Sequence, residues 1–335
     1  MFTKALYYPY ICIPDNLWLR RTILYWDQIN PIVPWQVEKE IPQKHVSREL
    51  KSYGMLDFIN PEDILEGQEG QKLSESFLKI IDSKEFTLKI GPPEKRRYDC
   101  KIHRDKFADG LLDKLRDKDL FKEDGPWQSL ETNTGRVYMG FLASYLANHL
   151  RLEPITDSMD YQEGFLRSQL TPSDKSTTVS ASLVLEKLLP APKDRVPVKK
   201  LLKFKEKRAR ELLAFRGTIR STIKSLSRVD ERQCQERLEA VKDEIKEQCL
   251  VLDRKLKENG WETVPNSLEA LIGPSLGVAG LIGQGIISVP VGLGALGVST
   301  IIIATREFHK WRMRKGSILE TSPYAYVFNV KKKFS

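Results

Sequence analysis

ALYYPYICIPDNLWLRRTILYWDQINPIVPW, residues 5–35, carries the first decision about the fold. Residues 5–13 are rich in aromatic and β-branched side chains, the composition of a strand. Asp15 then stands where a helix N-cap is expected, and Trp18, Leu19, Ile23, Trp26 and Ile29 form an apolar side at helical spacing. INPIVPW follows as a short extended piece that its prolines keep brief. Strand, helix and extended segment in that order point to a mixed sheet with helices packed on it.

The pattern continues outward. FTLKIG (residues 86–91) and YDCKIH (98–103) read as strands, and helices are expected over residues 104–122 and 135–150. Extended signals return at LEPIT and at TTVSASLVL. A proline-rich stretch, residues 191–198, then marks a boundary. The expected class is α+β: a mixed α/β amino-terminal domain over residues 1–190, then a helical domain. Within the latter, residues 199–265 read as a basic αα-hairpin. Leu212, Phe215 and Ile219 recur at a spacing of three to four on one arm, and Ile245, Cys249, Leu252 and Leu256 on the other. Residues 266–316 read as a glycine-rich apolar hairpin and residues 317–335 as a basic tail.

The apolar hairpin contains 36 consecutive residues, 270–305, without a charged side chain. Two physical readings compete. In the first, the second arm contacts lipid through Leu293, Ile301, Ile302 and Ile303. Phe308 and Trp311 then stand at the interface, and Arg312, Arg314 and Lys315 form a positive flank. In the second, the hairpin is a protein core, since its first arm of 14 residues spans only about 21 Å against a hydrocarbon thickness of roughly 30 Å. Gly292, Gly294 and Gly297 spell GxGxxG. Too little chain follows for a dinucleotide-binding sheet, and Pro290 interrupts the supposed strand, so no cofactor is implied.

The formal net charge of +9 is localised. Residues 199–228 hold 11 Lys and Arg against 2 Glu, and Lys203, Lys207, Arg208 and Arg210 are the candidate contacts for a polyanion. The plainer reading is a solvated helix face neutralised by the acids of the next helix. Four scattered cysteines without a CxxC pair fit free thiols in a reducing compartment, and no signal peptide is evident, so a cytoplasmic location is expected, with or without attachment to the inner face of the membrane. The four histidines sit on unrelated elements, and no hydrolase or nucleotide signature occurs. One enzymatic idea is left: Asp15, Asp27, Asp157 and Asp160 lie near expected strand ends and helix starts, where carboxylates can converge on a divalent metal. Against it, Asp15 and Asp157 serve equally well as helix caps and Asp27 as the partner of an arginine.

Residues 5–34, VYMGFLASYLANHLRLEPITD (137–157), LLKFKEKRARELLAFR (201–216) and SPYAYVFNV (322–330) together resemble a bacterial family known only as a domain of unknown function. The resemblance runs in order over most of the chain and implies no catalytic residue. The leading expectation is a non-enzymatic binding or effector module whose partner is an anionic membrane surface. The alternative is a soluble protein that buries the hairpin and binds nucleic acid or an acidic protein. A metal-dependent hydrolase is third.

Overall fold

Strand β1 (Lys4–Tyr7) is buried on two faces, because successive side chains of a strand point to opposite sides. Ala5 and Tyr7 enter one apolar cluster, and Leu6 and Tyr8 enter another. The computed structural model describes residues 4–158, 160, 161, 164, 190–192, 196–226, 231–258 and 322–334. Helix α1 (Leu17–Tyr25) follows β1 and is capped by Asn16, which accepts from the Leu19 amide at 3.1 Å. Asp15, expected as the cap, instead pairs with Arg20. The chain returns as β2 (Gln28–Pro31), parallel to β1 with Lys4 opposite Gln28 and Tyr7 opposite Pro31. Strand, helix and extended segment thus follow in the expected order, but the first strand ends at Tyr7, and Trp26 and Ile29, expected on the helix, fall at its C-cap and in β2.

Helices α2 (Trp35–Glu38), α3 (Val46–Ser52), α4 (Glu62–Leu65) and α5 (Gly67–Ile81) lead to α6 (Lys84–Ile90). Helix α6 replaces the strand expected at residues 86–91. Ser83 caps it by accepting from the Phe86 amide at 3.2 Å, and Gly91 at φ 68° ends it. The apolar alternation of FTLKIG also places Phe86 and Ile90 four residues apart, so the period alone did not discriminate.

Next comes β3 (Cys100–His103), as expected. The single helix expected over residues 104–122 is broken into a 3-10 turn, α7 (Leu111–Asp117) and β4 (Phe121–Asp124). Gly110 at φ 72° and Asp119 at φ 53° turn the chain on either side of α7. Strand β5 (Trp127–Leu130) pairs antiparallel with both β3 and β4, giving a second sheet in the order β3-β5-β4.

Helix α8 (Thr132–Leu150) is the core helix expected near residues 135–150. The buried Glu131 side chain caps it, accepting from the amides of Asn133 (3.0 Å) and Thr134 (2.7 Å). Strand β6 (Glu153–Ile155) then joins β1 in parallel, completing the sheet β2-β1-β6.

The carboxy-terminal helices are α9 (Val198–Lys207), α10 (Ala209–Leu226), α11 (Glu231–Glu258) and α12 (Ala325–Phe334). They cover the Ala5–Tyr7 face of the sheet, where Leu201, Phe215, Leu252 and Val330 share one cluster with Leu19 and Ile23 of α1. The other face is covered by α5, α7 and α8. Part of the expected basic tail is therefore a core helix: Tyr326 of α12 is fully buried and its hydroxyl donates to the Leu24 carbonyl at 2.7 Å. The TTVSASLVL segment and the whole of residues 270–305 lie outside the described residues.

Two measurements test this packing. A Cβ on Gly135 of α8 would stand 2.7 Å from the Cβ of Cys100, whereas one on Gly217 of α10 would meet nothing within 4 Å. Gly135→Ala should cost about 1–3 kcal/mol in denaturant unfolding, and Gly217→Ala should gain about 0.5–1 kcal/mol. Equal effects would contradict the α8–β3 contact. Glu153 in β6 is buried with both carboxylate oxygens lacking hydrogen bonds, and burial pushes its pKa well above the usual 4.5. The folded chain then holds that proton longer than the unfolded chain, so this residue's contribution to stability falls as pH rises above 4.5. The stability of the wild type relative to Glu153→Gln should decline over that range; a flat difference would place Glu153 in water.

Candidate anion-binding site

Helix α9 reads VKKLLKFKEK, and its period divides the lysines between two environments. Val198, Leu201, Phe204 and Lys205 are buried, whereas Lys199, Lys200, Lys203 and Lys207 are exposed. Lys199, Lys203 and Lys207 recur every four residues, so they form a row whose members are about 6 Å apart along the axis.

Opposite this row stands Lys333 of α12. Its ammonium lies 5.5 Å from the centre of the Phe204 ring and 5.9 Å from that of Phe334. The two rings meet edge-on at 5.0 Å, which fixes α12 beside α9. Between the helices is a groove of about 440 Å³, lined by Lys199, Lys200, Lys203, Lys207 and Lys333 with Phe204 and Pro197. Burial, together with the charges of Lys200, Lys207 and Arg208, holds the Lys333 ammonium below its usual pKa. Among the described residues no ion pair joins any of the five lysines to a carboxylate. Among the described residues, no acid of the following helix pairs with a lysine of this groove.

The groove is held in place by the remaining lysine of α9. Lys205 turns inward, donates to the Trp26 carbonyl and lies 3.1 Å from Asp27. Arg216 of α10 binds Asp27 through two nitrogens, at 2.8 and 2.9 Å, and also donates to the Tyr25 carbonyl at 2.6 Å. Two cations thus sit at the carboxyl end of α1, where the helix dipole and unpaired carbonyls favour positive charge. Burial alone would raise the Asp27 pKa, but Arg216 and Lys205 outweigh it and hold the carboxyl below the usual 3.8. For Lys205 burial wins over Asp27 and brings the ammonium down to about 8. The two shifts differ in outcome because the Lys205 side chain is 11% exposed and that of Asp27 45%.

Of the four polyanion candidates, Lys203 and Lys207 line the groove. Arg208 is engaged with Glu211 at 2.6 Å, and Arg210 is exposed on α10 and is not among the lining residues. Lys199, Lys200 and Lys333 join the site although the sequence reading did not single them out. The first two carry a legible signal, the four-residue row and its neighbour. Lys333 carries none, because only the docking of α12 brings it there.

The four acids do not converge. Asp15 pairs with Arg20, Asp27 with Lys205 and Arg216, and Asp160 with Arg136. Asp157 accepts from the Tyr7 hydroxyl at 2.8 Å. Among the described residues no group of three potential ligands is placed to hold a metal ion. Nor is any helix among them long and apolar enough to cross a membrane. Leu293, Ile301, Ile302, Ile303, Phe308 and Trp311 lie outside the described residues.

Replacing Asp27 tests the anchor. Asp27→Asn leaves the buried Lys205 without a counter-charge and should destabilise the fold by about 2 kcal/mol in chemical denaturation. Adding Lys205→Met removes the stranded charge and should recover most of that loss. A single variant as stable as wild type would show that Asp27 does not anchor α9.

Neither a curated protein nor a solved structure matches the chain significantly. The profile of a family of unknown function, DUF6236, matches residues 162–335, a span that includes α9 to α12 and the groove between α9 and α12. The match covers more than half of the chain, which therefore belongs to the DUF6236 family.

Proposed function

We propose that this protein is a non-enzymatic binding module that docks on an anionic membrane surface at its cytoplasmic side. The lysine groove makes the electrostatic contact, and the uncharged run at residues 270–305 makes the apolar one. The observation that carries this reading is the gathering around one concavity of five lysines that have no carboxylate partner among the described residues. A basic face that is merely solvated gains nothing by crowding its charges.

Magnitudes support a second contact. Each lysine near an anionic leaflet contributes about 1 kcal/mol, so five contribute about 5 kcal/mol. That corresponds to binding weaker than about 0.1 mM, which is marginal for a resident membrane protein. Stable attachment needs a second signal, and the 36 uncharged residues beside the basic segment 306–315 supply one in the sequence. Nucleic acid is the competing ligand. An extended duplex presents phosphates along a line, whereas this groove is a local concavity against a helix of 10 residues.

Vesicle co-sedimentation tests the reading. Wild type should bind vesicles containing phosphatidylglycerol and leave those of phosphatidylcholine alone, with affinity falling as salt rises. Lys203→Glu with Lys207→Glu reverses two charges and should weaken binding by about 4 kcal/mol, roughly a thousandfold. Gly297→Arg, in the middle of the second apolar arm, should cost about 2.5–3.5 kcal/mol of insertion. A wild type that ignores anionic vesicles sinks the membrane reading. If duplex DNA binds tightly through the same lysines, the nucleic-acid reading replaces it.

A further inference from the structure

The construction of the groove specifies its ligand more closely than a general attraction to anions. This step rests on the groove's being the anion-binding site and is otherwise separate from the membrane reading. One wall is the row Lys199, Lys203 and Lys207 with Lys200 beside it on α9, and the other is Lys333 on α12. These walls come from segments more than a hundred residues apart in the chain. Phe204 and Phe334 form an apolar contact between them, and the Lys333 ammonium stands over both rings.

Lysines repel one another, and four on one helix with a fifth across the groove are unfavourable unless something anionic lies between them. A single phosphate monoester, with a charge near −2, neutralises fewer than half of the five. Mutual spacing also matters. Row members about 6 Å apart are too far from each other for one phosphate to meet the whole set by direct hydrogen bonds. Two phosphates held close together bring a charge nearer to that of the five lysines and can meet both walls at once.

We propose that the groove is a binding site for paired or clustered phosphates, which bridge the lysines of α9 to Lys333 of α12. Lys333 is the selectivity residue, since among the described residues it is the lysine of the second wall. Two sources carry this chemistry: a lipid headgroup with two phosphates, such as cardiolipin, and a free polyphosphate. In either case the ligand ties the carboxy-terminal helix to α9. By linkage the bound ligand raises the melting temperature of the full-length chain.

The test is calorimetric titration of the full-length protein with tripolyphosphate and, separately, with orthophosphate at matched ionic strength. Melting curves accompany it. Tripolyphosphate should bind at least tenfold more tightly and raise the melting temperature. Lys333→Gln and Lys203→Gln should each weaken tripolyphosphate about fivefold or more, the equivalent of one lost lysine contact, with orthophosphate little changed. Lys333→Arg should retain binding, and Lys114→Gln, on α7 outside the groove, should leave it untouched.

Equal affinity for the two anions overturns the proposal. So does a Lys333→Gln variant that melts like wild type and binds tripolyphosphate unchanged. Vesicles of cardiolipin and of phosphatidylglycerol, matched in total charge, separate the sources. Preference for cardiolipin identifies the lipid. Tripolyphosphate binding without any vesicle binding sinks the membrane reading and leaves a free polyphosphate as the ligand. Binding to both kinds of vesicle alike, with no tripolyphosphate preference, overturns the paired-phosphate site and leaves the membrane reading standing.

Discussion

Burial of β1 on both faces is the constraint from which the rest of the structure follows. A short strand cannot leave its backbone groups unpaired in an apolar interior, so β1 takes β2 on one side and β6 on the other. Its alternating side chains then demand apolar cover above and below the sheet. Helices α5, α7 and α8 provide it on the Leu6 face, and α1 with the four carboxy-terminal helices provides it on the Ala5 face. Segments from both ends of the chain are thereby committed to one strand near the amino terminus. Lys106 marks how closely the loop after β1 is enclosed. Its ammonium is buried, donates to the Pro9 carbonyl at 3.0 Å, and is brought down to about 7 by that burial.

The second level of organisation is electrostatic. The carboxyl end of α1 has carbonyl groups without partners inside the helix, and Lys205 and Arg216 satisfy two of them while Asp27 balances their charge. A buried lysine on a basic helix is an expensive anchor, yet its orientation is specific. With Lys205 inward, the hundred-degree step of the helix turns Lys199, Lys203 and Lys207 outward. The same rotation presents Phe204 to Phe334 and Tyr326. One internal ion pair therefore sets which lysines meet solvent, and the aromatic contact beside it decides that α12 closes the groove.

The resulting site combines features that oppose each other in the free protein. Apolar contacts draw α9 and α12 together, while their lysines repel. The first effect is larger because Tyr326, Val330 and Phe334 are all buried, each worth about 1.5–3 kcal/mol, against repulsions moderated by water. Charge held close in this way is poised for an anion, since neutralising it removes a repulsion that the fold already tolerates.

Much of this was legible from residues alone. The strand–helix–strand opening, the core helix near residues 135–150 and the apolar stripes of α10 and α11 all follow from local period and composition, because each element must bury one face wherever it docks. Asp27 was readable as the partner of an arginine. Other features were not local. FTLKIG fits either period, and its helix depends on a serine cap and a terminal glycine outweighing a short apolar alternation. SPYAYVFNVKKKF reads as a basic tail until its aromatic residues are seen to fill the space between α1, α9 and α11. The sequence by itself determined which residues were apolar, which were basic and in what rhythm they recur. Only the tertiary structure decided that Lys205 faces inward, that Lys333 stands across from Lys203, and that the four aspartates share no partner. Those outcomes depend on contacts between segments far apart in the chain, and no local period records which distant segment will cover a given face.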